Sequence, residues 1–164
     1  MTEQHIKKMA DNLRLQQAEY KKMLEYAEGK RKALVSADMT TLEKIINQEE
    51  ALIKQIGSLE LERMEIQTAM AQRLNLTPEE LNWEGLKQIL NDKDKALISH
   101  NTEELRKVIS QLSDVNSINQ NLLDQSLKLV KMSINTMSGE TEKTYTKTPV
   151  QQKKKEGKLF DIKA

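Results

Sequence analysis

Apolar residues recur at steps of three and four along most of this chain, a spacing that aligns them on one face of a helix. Two such runs precede residue 78, and each forms a narrow seam of the kind seen in coiled coils. They predict two long helices over about residues 2–35 and 39–75. The first run is Ile6, Met9, Leu13, Gln16, Tyr20, Met23, Ala27 and Leu34, and the second is Leu42, Ile45, Leu52, Ile56, Leu59, Ile66, Met70 and Leu74.

A short connector, Ser36-Ala37-Asp38, separates the two runs. A connector of this length returns the chain antiparallel, so the pattern predicts a helical hairpin with arms roughly 50 Å long. Asp38 or Thr40 can cap the second helix, and Thr40 with Glu43 has the spacing of a capping box.

A helix-start signal follows the hairpin. Thr77-Pro78-Glu79-Glu80 combines a cap residue, a proline at the first helical position and a glutamate at the third. Asn82 offers a second start. These signals predict a shorter helix over about residues 83–99.

The last apolar run predicts a final long helix over about residues 102–137. Asn101 and Glu104 form another possible capping box, which predicts a break near His100. Asn116 and Asn119 lie on or beside the seam, where a buried asparagine fixes register at some cost in stability. The apolar positions are Leu105, Val108, Ile109, Leu112, Val115, Leu122, Leu123, Leu127, Val130, Ile134 and Met137.

The periodicity is lost from Gly139, where threonines, Pro149 and a lysine cluster replace it. We expect a helical coiled-coil domain over residues 1–138 and a flexible tail over 139–164. The predicted fold is all-α. It consists of an elongated antiparallel helical hairpin and a third long helix in a coiled-coil-like three-helix bundle, with the flexible C-terminal tail attached.

Composition agrees with thin helical packing and excludes several classes of function. Aromatic residues make up only 3% of the chain and charged residues 31%, which suits long helices sharing a narrow apolar seam. The absence of cysteine excludes disulfides and thiolate metal sites. Residues 1–138 carry 19 basic and 21 acidic side chains, and 139–164 carry 7 and 4, so nucleic-acid binding is not expected.

Neither catalytic nor targeting signals are found. The two histidines, His5 and His100, lie far apart in sequence, and no phosphate loop, nucleophile motif or zinc spacing occurs. We therefore expect no enzymatic activity, no cofactor and no metal. The N-terminus lacks the apolar run of a signal peptide, and no stretch is long enough for a membrane span, so we expect a cytoplasmic protein without stable membrane insertion.

Three pieces of the sequence resemble the FlgN family of flagellar type III export chaperones. The first is the hairpin turn, Lys30–Leu42, with its basic residues, leucine, small residues and aspartate. The second is the arm containing Glu49–Ile53 and Leu59–Arg63. The third is the helix containing Asn121-Leu122-Leu123-Asp124-Gln125-Ser126-Leu127, followed by a tail with Tyr145 and a terminal Leu159–Ala164.

The resemblance implies a cytosolic chaperone that binds the C-terminal disordered segments of flagellar hook-associated proteins, which form the hook–filament junction. It would prevent their premature assembly and deliver them to the flagellar type III export gate. Tyr145 would resemble the tyrosine that engages the gate. The implied client-binding residues are Leu122, Leu123, Leu127, Val130, Ile134 and Met137.

Two other interpretations stay open. The chain could be a structural coiled-coil adaptor or dimerisation module with no client-release cycle, and its oligomeric state is not determined by the sequence. It could also bind membrane surfaces through Lys153–Lys155 together with Leu159, Phe160 and Ile162. Three lysines and one aromatic residue give only marginal attraction, about 1 kcal/mol per basic residue near an anionic surface.

Overall fold

The computed structural model describes residues 3–139, which are all-helical and contain no strand. The predicted all-α class is therefore confirmed for this part of the chain. The predicted tail after Gly139, including Tyr145, lies outside the described residues. The helices are α1 (Glu3–Ser36), α2 (Met39–Arg73), α3 (Trp83–Ile89) and α4 (Asp92–Met137).

The chain divides into two compact units, Met1–Leu129 and Val130–Ala164. In the first unit the structure describes α1, α2, α3 and α4 up to Leu129. In the second it describes the last turns of α4 and the residues after them up to Gly139, which has a φ of +68°. The sequence-based boundary at 138/139 falls at the end of α4, whereas the structural division falls inside that helix.

The turn between α1 and α2 is built by local hydrogen bonds. Ala37 adopts a left-handed φ of +56°, and the N–H of Asp38 donates to the carbonyl of Ala33 at 2.9 Å, which closes α1. The Asp38 side chain then accepts from the backbone N–H of Thr41 at 3.1 Å and from its hydroxyl at 2.6 Å. These bonds hold the pKa of Asp38 below its usual value. Asp38, rather than Thr40, is thus the cap of α2.

Helices α1 and α2 run antiparallel, and polar contacts along their seam fix the register. Buried Asn12 donates to the carbonyl of Leu59 and to the Glu62 carboxylate, both at 3.0 Å. Lys30 pairs with Glu49 at 2.6 Å nearer the turn. Since early residues of α1 meet late residues of α2, the predicted antiparallel direction of the hairpin is observed.

Gln16 and Tyr20 add two further polar contacts to this seam. Gln16 donates to the Asn12 side chain at 2.8 Å, and the Tyr20 hydroxyl donates to Glu60 at 3.3 Å. Burial and the neighbouring Glu60 carboxylate raise the pKa of Tyr20 to about 12, so its hydroxyl keeps its proton at neutral pH. Gln16, a polar residue at a seam position of the first run, is buried in the packing.

The segment between α2 and α3 contains the predicted helix-start signal, but the helix predicted over 83–99 is wrong in length, because α3 ends at Ile89. The Thr77 N–H donates to the Glu80 carboxylate at 2.7 Å, and the Glu80 N–H donates to the Thr77 hydroxyl at 3.3 Å. The chain then makes a turn. Gln67 of α2 donates to the carbonyls of Pro78 and Leu81 and holds this turn in place. Helix α3 begins after Asn82, whose side chain accepts from Gly85 N–H at 3.0 Å.

The predicted break near His100 is wrong, because α4 is continuous from Asp92 to Met137. The chain breaks earlier, at the extended residue Leu90, and the Asn91 side chain accepts from Asp94 N–H at 2.9 Å at the start of α4. Asn101 does not cap a helix. Its side-chain amide instead donates to the carbonyl of Ala10 in α1 at 3.3 Å. The side chain predicted to cap a helix therefore makes a contact between two helices.

Helix α4 lies along α1 within the first unit and runs in the same direction. Asn101 bonds to Ala10, and Asn119 donates to the carbonyl of Ala27 at 2.9 Å. These pairs are separated by 91 and 92 residues, so the register shifts by only one residue between them. Residues of α1, α2, α3 and α4 contribute to one apolar core. Among residues 3–139, no helix combines the length and apolarity required to cross a membrane.

Candidate protein-docking site

One face of α4 is buried along the first part of the helix only. Its buried side chains are spaced at three, four and seven, and this burial ends at Asn119, which is 5% exposed. After Asn119, Leu122 is partly buried and no described residue is fully buried. The buried residues of α4 are Ile98, Leu105, Val108, Leu112, Val115 and Asn119.

Apolar residues continue along α4 beyond the buried stretch but lie open to solvent. Exposure rises from 39% at Leu123 to 51% at Leu127, 54% at Val130 and 88% at Met137. Five of the six residues predicted from the sequence to bind a client are thus exposed, and Leu122 is partly buried. We call Leu123, Leu127, Val130, Ile134 and Met137 the exposed stripe.

The spacing of the exposed stripe makes it a helix face. Leu123 follows Leu105 by about five helical turns, and Leu127 follows the partly buried Ile109 by the same interval, so both extend the buried face of α4. In the second unit, Val130, Ile134 and Met137 are separated by steps of four and three and share one face of their own turns.

The polar residues beside the exposed stripe add charge on one edge. Asp124, Lys128 and Lys131 follow one another at steps of four and three, and all are exposed. The Asp124 carboxylate accepts from the Gln120 amide at 2.9 Å. Asp124 and Lys128 belong to the first unit and Lys131 to the second, and the three side chains sum to one positive charge.

Several hydroxyls near the stripe bond to their own helix. Ser126 donates to the carbonyl of Leu122 and Thr136 to that of Met132, each at 2.9 Å, and Ser138 donates to Asn135 at 3.2 Å. Because these donors are used locally, this surface offers a partner mainly apolar contact.

Asn119 marks the point at which burial of α4 ends. Its amide nitrogen donates to Ala27, while its side-chain oxygen is buried with no hydrogen-bond partner. A polar group held this way favours one register between α1 and α4. Asn116 is exposed, so the register role predicted for both asparagines fits Asn119 alone.

Sequence reasoning missed a second exposed apolar surface at the hairpin turn. Val35, in the last turn of α1, is 72% exposed, and Met39, the first residue of α2, is 68% exposed. Their exposure could have been predicted from their position on either side of the Ser36–Asp38 connector, because both helices end there and leave these side chains uncovered.

The described residues contain no group of three or more histidine, aspartate or glutamate side chains that could hold a metal ion. His5 and His100 lie on different helices, α1 and α4.

Comparison with known families shows which family the chain belongs to. The sequence model of the FlgN protein family matches residues 1–152 of this chain. The chain belongs to the FlgN family. No curated protein and no solved structure matches the chain.

FlgN membership confirms the resemblance drawn from the hairpin turn, the second arm and the Leu122–Leu127 region. The match includes Tyr145 and ends before the terminal Leu159–Ala164. FlgN is a family of flagellar export chaperones rather than of enzymes, which suggests flagellar proteins as partners.

Proposed function

We propose that this FlgN-family protein is a cytosolic export chaperone. It binds the C-terminal disordered segments of flagellar hook-associated proteins, prevents their premature assembly and delivers them to the type III export gate. Its client-binding residues are Leu122, Leu123, Leu127, Val130, Ile134 and Met137. Helices α1, α2 and α4 form a three-helix bundle that supports this surface.

The exposed stripe is the observation that carries the proposal. An apolar helix face left open to water is a binding surface for a second amphipathic helix. In the first unit the face runs from Leu122 to Leu127, and in the second it runs from Val130 to Met137, so each part accommodates about one to two turns of a client helix. Fully burying one side chain of this size contributes about 1.5–3 kcal/mol, and part of that gain is offset by ordering a disordered client.

Calorimetric titration of the full chain with synthetic C-terminal segments of hook-associated proteins from the same organism tests the proposal. We expect saturable, roughly equimolar binding. Leu123→Asp and Val130→Asp should each weaken it at least about tenfold, because a charge would then be buried against the client. Leu61→Asp is the matched control, since Leu61 is 64% exposed on α2. Normal binding by both stripe variants would refute the assignment.

A coiled-coil adaptor or dimerisation module is the second candidate. The same exposed stripe favours it, because two copies could bury their stripes against each other. Sedimentation equilibrium of the full chain separates the candidates. A stable dimer that does not bind hook-associated segments would support the adaptor, whereas a monomer that forms a one-to-one complex would support the chaperone.

Tyr145 is proposed to dock the chaperone to the export gate. The basis is the resemblance of the tyrosine-bearing tail to that of FlgN proteins. Tyr145 lies within the matched range and outside the described part of the chain. Tyr145→Ala should leave client affinity unchanged and reduce secretion of hook-associated proteins in cells. Secretion at the normal level would remove Tyr145 from the site.

A further inference from the structure

The register between α1 and α4 sets Val35 level with the exposed stripe. Asn101 bonds to Ala10 and Asn119 to Ala27, with separations of 91 and 92 residues. Two parallel helices rise by the same amount per residue, so the offset of 92 residues at Asn119 continues past Ala27. It sets Val35 of α1 at the level of Leu127 of α4, and both residues belong to the first unit.

Val35 also lies on the face of α1 that carries Leu24. It follows Leu24 by about three helical turns, and Leu24 packs against the apolar core. At the level of Ala27 and Asn119 the two helices bury each other, with exposures of 0% and 5%. At the level of Val35 and Leu127 the exposures are 72% and 51%, so neither side chain covers the other. The α1–α4 interface therefore opens toward the hairpin turn.

We propose that the docking surface of α4 extends onto the hairpin turn, so that one bound helix contacts Leu123, Leu127 and Val35 together. This inference rests on the proposed function and adds Val35 to the client site. The surface is continuous with the α1–α4 interface. A helix seated on it extends the packing that α1 and α4 make up to Asn119.

Charge identifies the occupant as an amphipathic helix with acidic residues along one edge. Lys128 and Lys131 are exposed beside the stripe, and Asp124 on the same edge is bonded to Gln120. Carboxylates of a partner would pair with the two lysines. A second copy of this chain packed in parallel and in register would instead bring like charges together, which disfavours that arrangement.

The first test is calorimetric titration of full-length variants with the C-terminal segment of a hook-associated protein. Val35→Gln removes the apolar contact and should weaken binding about 3- to 10-fold. Val35→Leu keeps an apolar side chain and should bind at least as tightly as the original. Leu61→Gln changes an equally exposed apolar residue of α2 and should have no effect.

A charge reversal tests the chemistry of the occupant. Replacing both lysines, Lys128→Glu and Lys131→Glu, should weaken binding about 3- to 10-fold, with a smaller effect in 0.5 M salt, because exposed charge pairs are screened. If the double variant bound normally, or if its loss of affinity were equal in low salt and in 0.5 M salt, the assignment of an acidic partner would be overturned.

Two variants distinguish failure of the client site from failure of its extension to the hairpin turn. If Leu127→Asp abolishes binding while Val35→Gln binds normally, the client site stands and its extension to the hairpin turn is wrong. If the original chain binds no segment, the proposed function fails first. If it dimerises and Val35→Gln dissociates the dimer, the occupant is a second copy and the inference is overturned.

Discussion

At the scale of single residues, two glycines inside the hairpin helices differ in their surroundings. A Cβ at Gly29 would lie 3.1 Å from the Ile45 Cδ1 atom, so this glycine lets α1 and α2 approach closely. A Cβ at Gly57 would meet nothing within 4 Å. Of the two, only Gly29 therefore has a packing reason to be glycine. Gly57 lowers the stability of α2 through the backbone entropy that a glycine loses on folding, with no gain in packing.

Gly57→Ala should raise the free energy of unfolding by about 1 kcal/mol, because alanine loses less backbone entropy in a helix interior. Gly29→Ala should raise the free energy of unfolding clearly less, since Ile45 must shift to make room for the new methyl group. Urea denaturation followed by helical circular dichroism measures both. A Gly29→Ala gain equal to that of Gly57→Ala would contradict the close-approach explanation.

At the scale of elements, α4 combines a buried and an exposed length, and Asn119 lies at their junction. Its amide bonds to Ala27, but its side-chain oxygen is buried without a partner. A buried unpaired acceptor costs free energy, so Asn119 favours a register at the expense of stability.

Asn119→Leu should therefore raise the free energy of unfolding by about 1 kcal/mol, because the unpaired oxygen is removed and apolar surface is buried. Asn116→Leu is the control. Asn116 is exposed, so its gain should stay within the few tenths of a kcal/mol that helix propensity supplies. Chemical denaturation compares the two. Destabilisation by Asn119→Leu would show that the bond to Ala27 outweighs the unpaired oxygen.

At the scale of the whole molecule, stability and docking depend on different residues. The apolar core draws its α4 residues from Ile98 to Val115, whereas the exposed stripe begins at Leu123. Because the stripe contributes little buried area, its substitution should change binding without unfolding the protein.

Thermal unfolding checks this separation. Leu123→Asp and Val130→Asp should melt within a few degrees of the original chain, as is usual for substitutions at exposed positions. Leu112→Asp should lower the melting temperature strongly, because Leu112 is 7% exposed and a charge there has no partner in the core. A comparable loss in the stripe variants would mean that the stripe is part of the folded core.

Much of the local structure follows from the sequence. The hairpin helices, the Asp38 cap and the Asn82 cap depend on contacts between residues three or four apart, which a sequence displays directly. The apolar character of Leu123 through Met137 is equally visible. Asn101 misled the prediction of a break near His100, because a capping residue and an interhelical donor have the same chemistry.

The sequence by itself determined that this chain is helical, where its apolar seams lie and which family it belongs to. The tertiary structure alone decided which part of the α4 seam is covered. Spacing is the same on both sides of Asn119, so periodicity cannot separate core from docking surface. Burial depends on whether a neighbouring helix packs against α4 at a given level. Helix α1 does so at Asn119, which bonds to Ala27, but not at Leu127, which lies level with the exposed Val35.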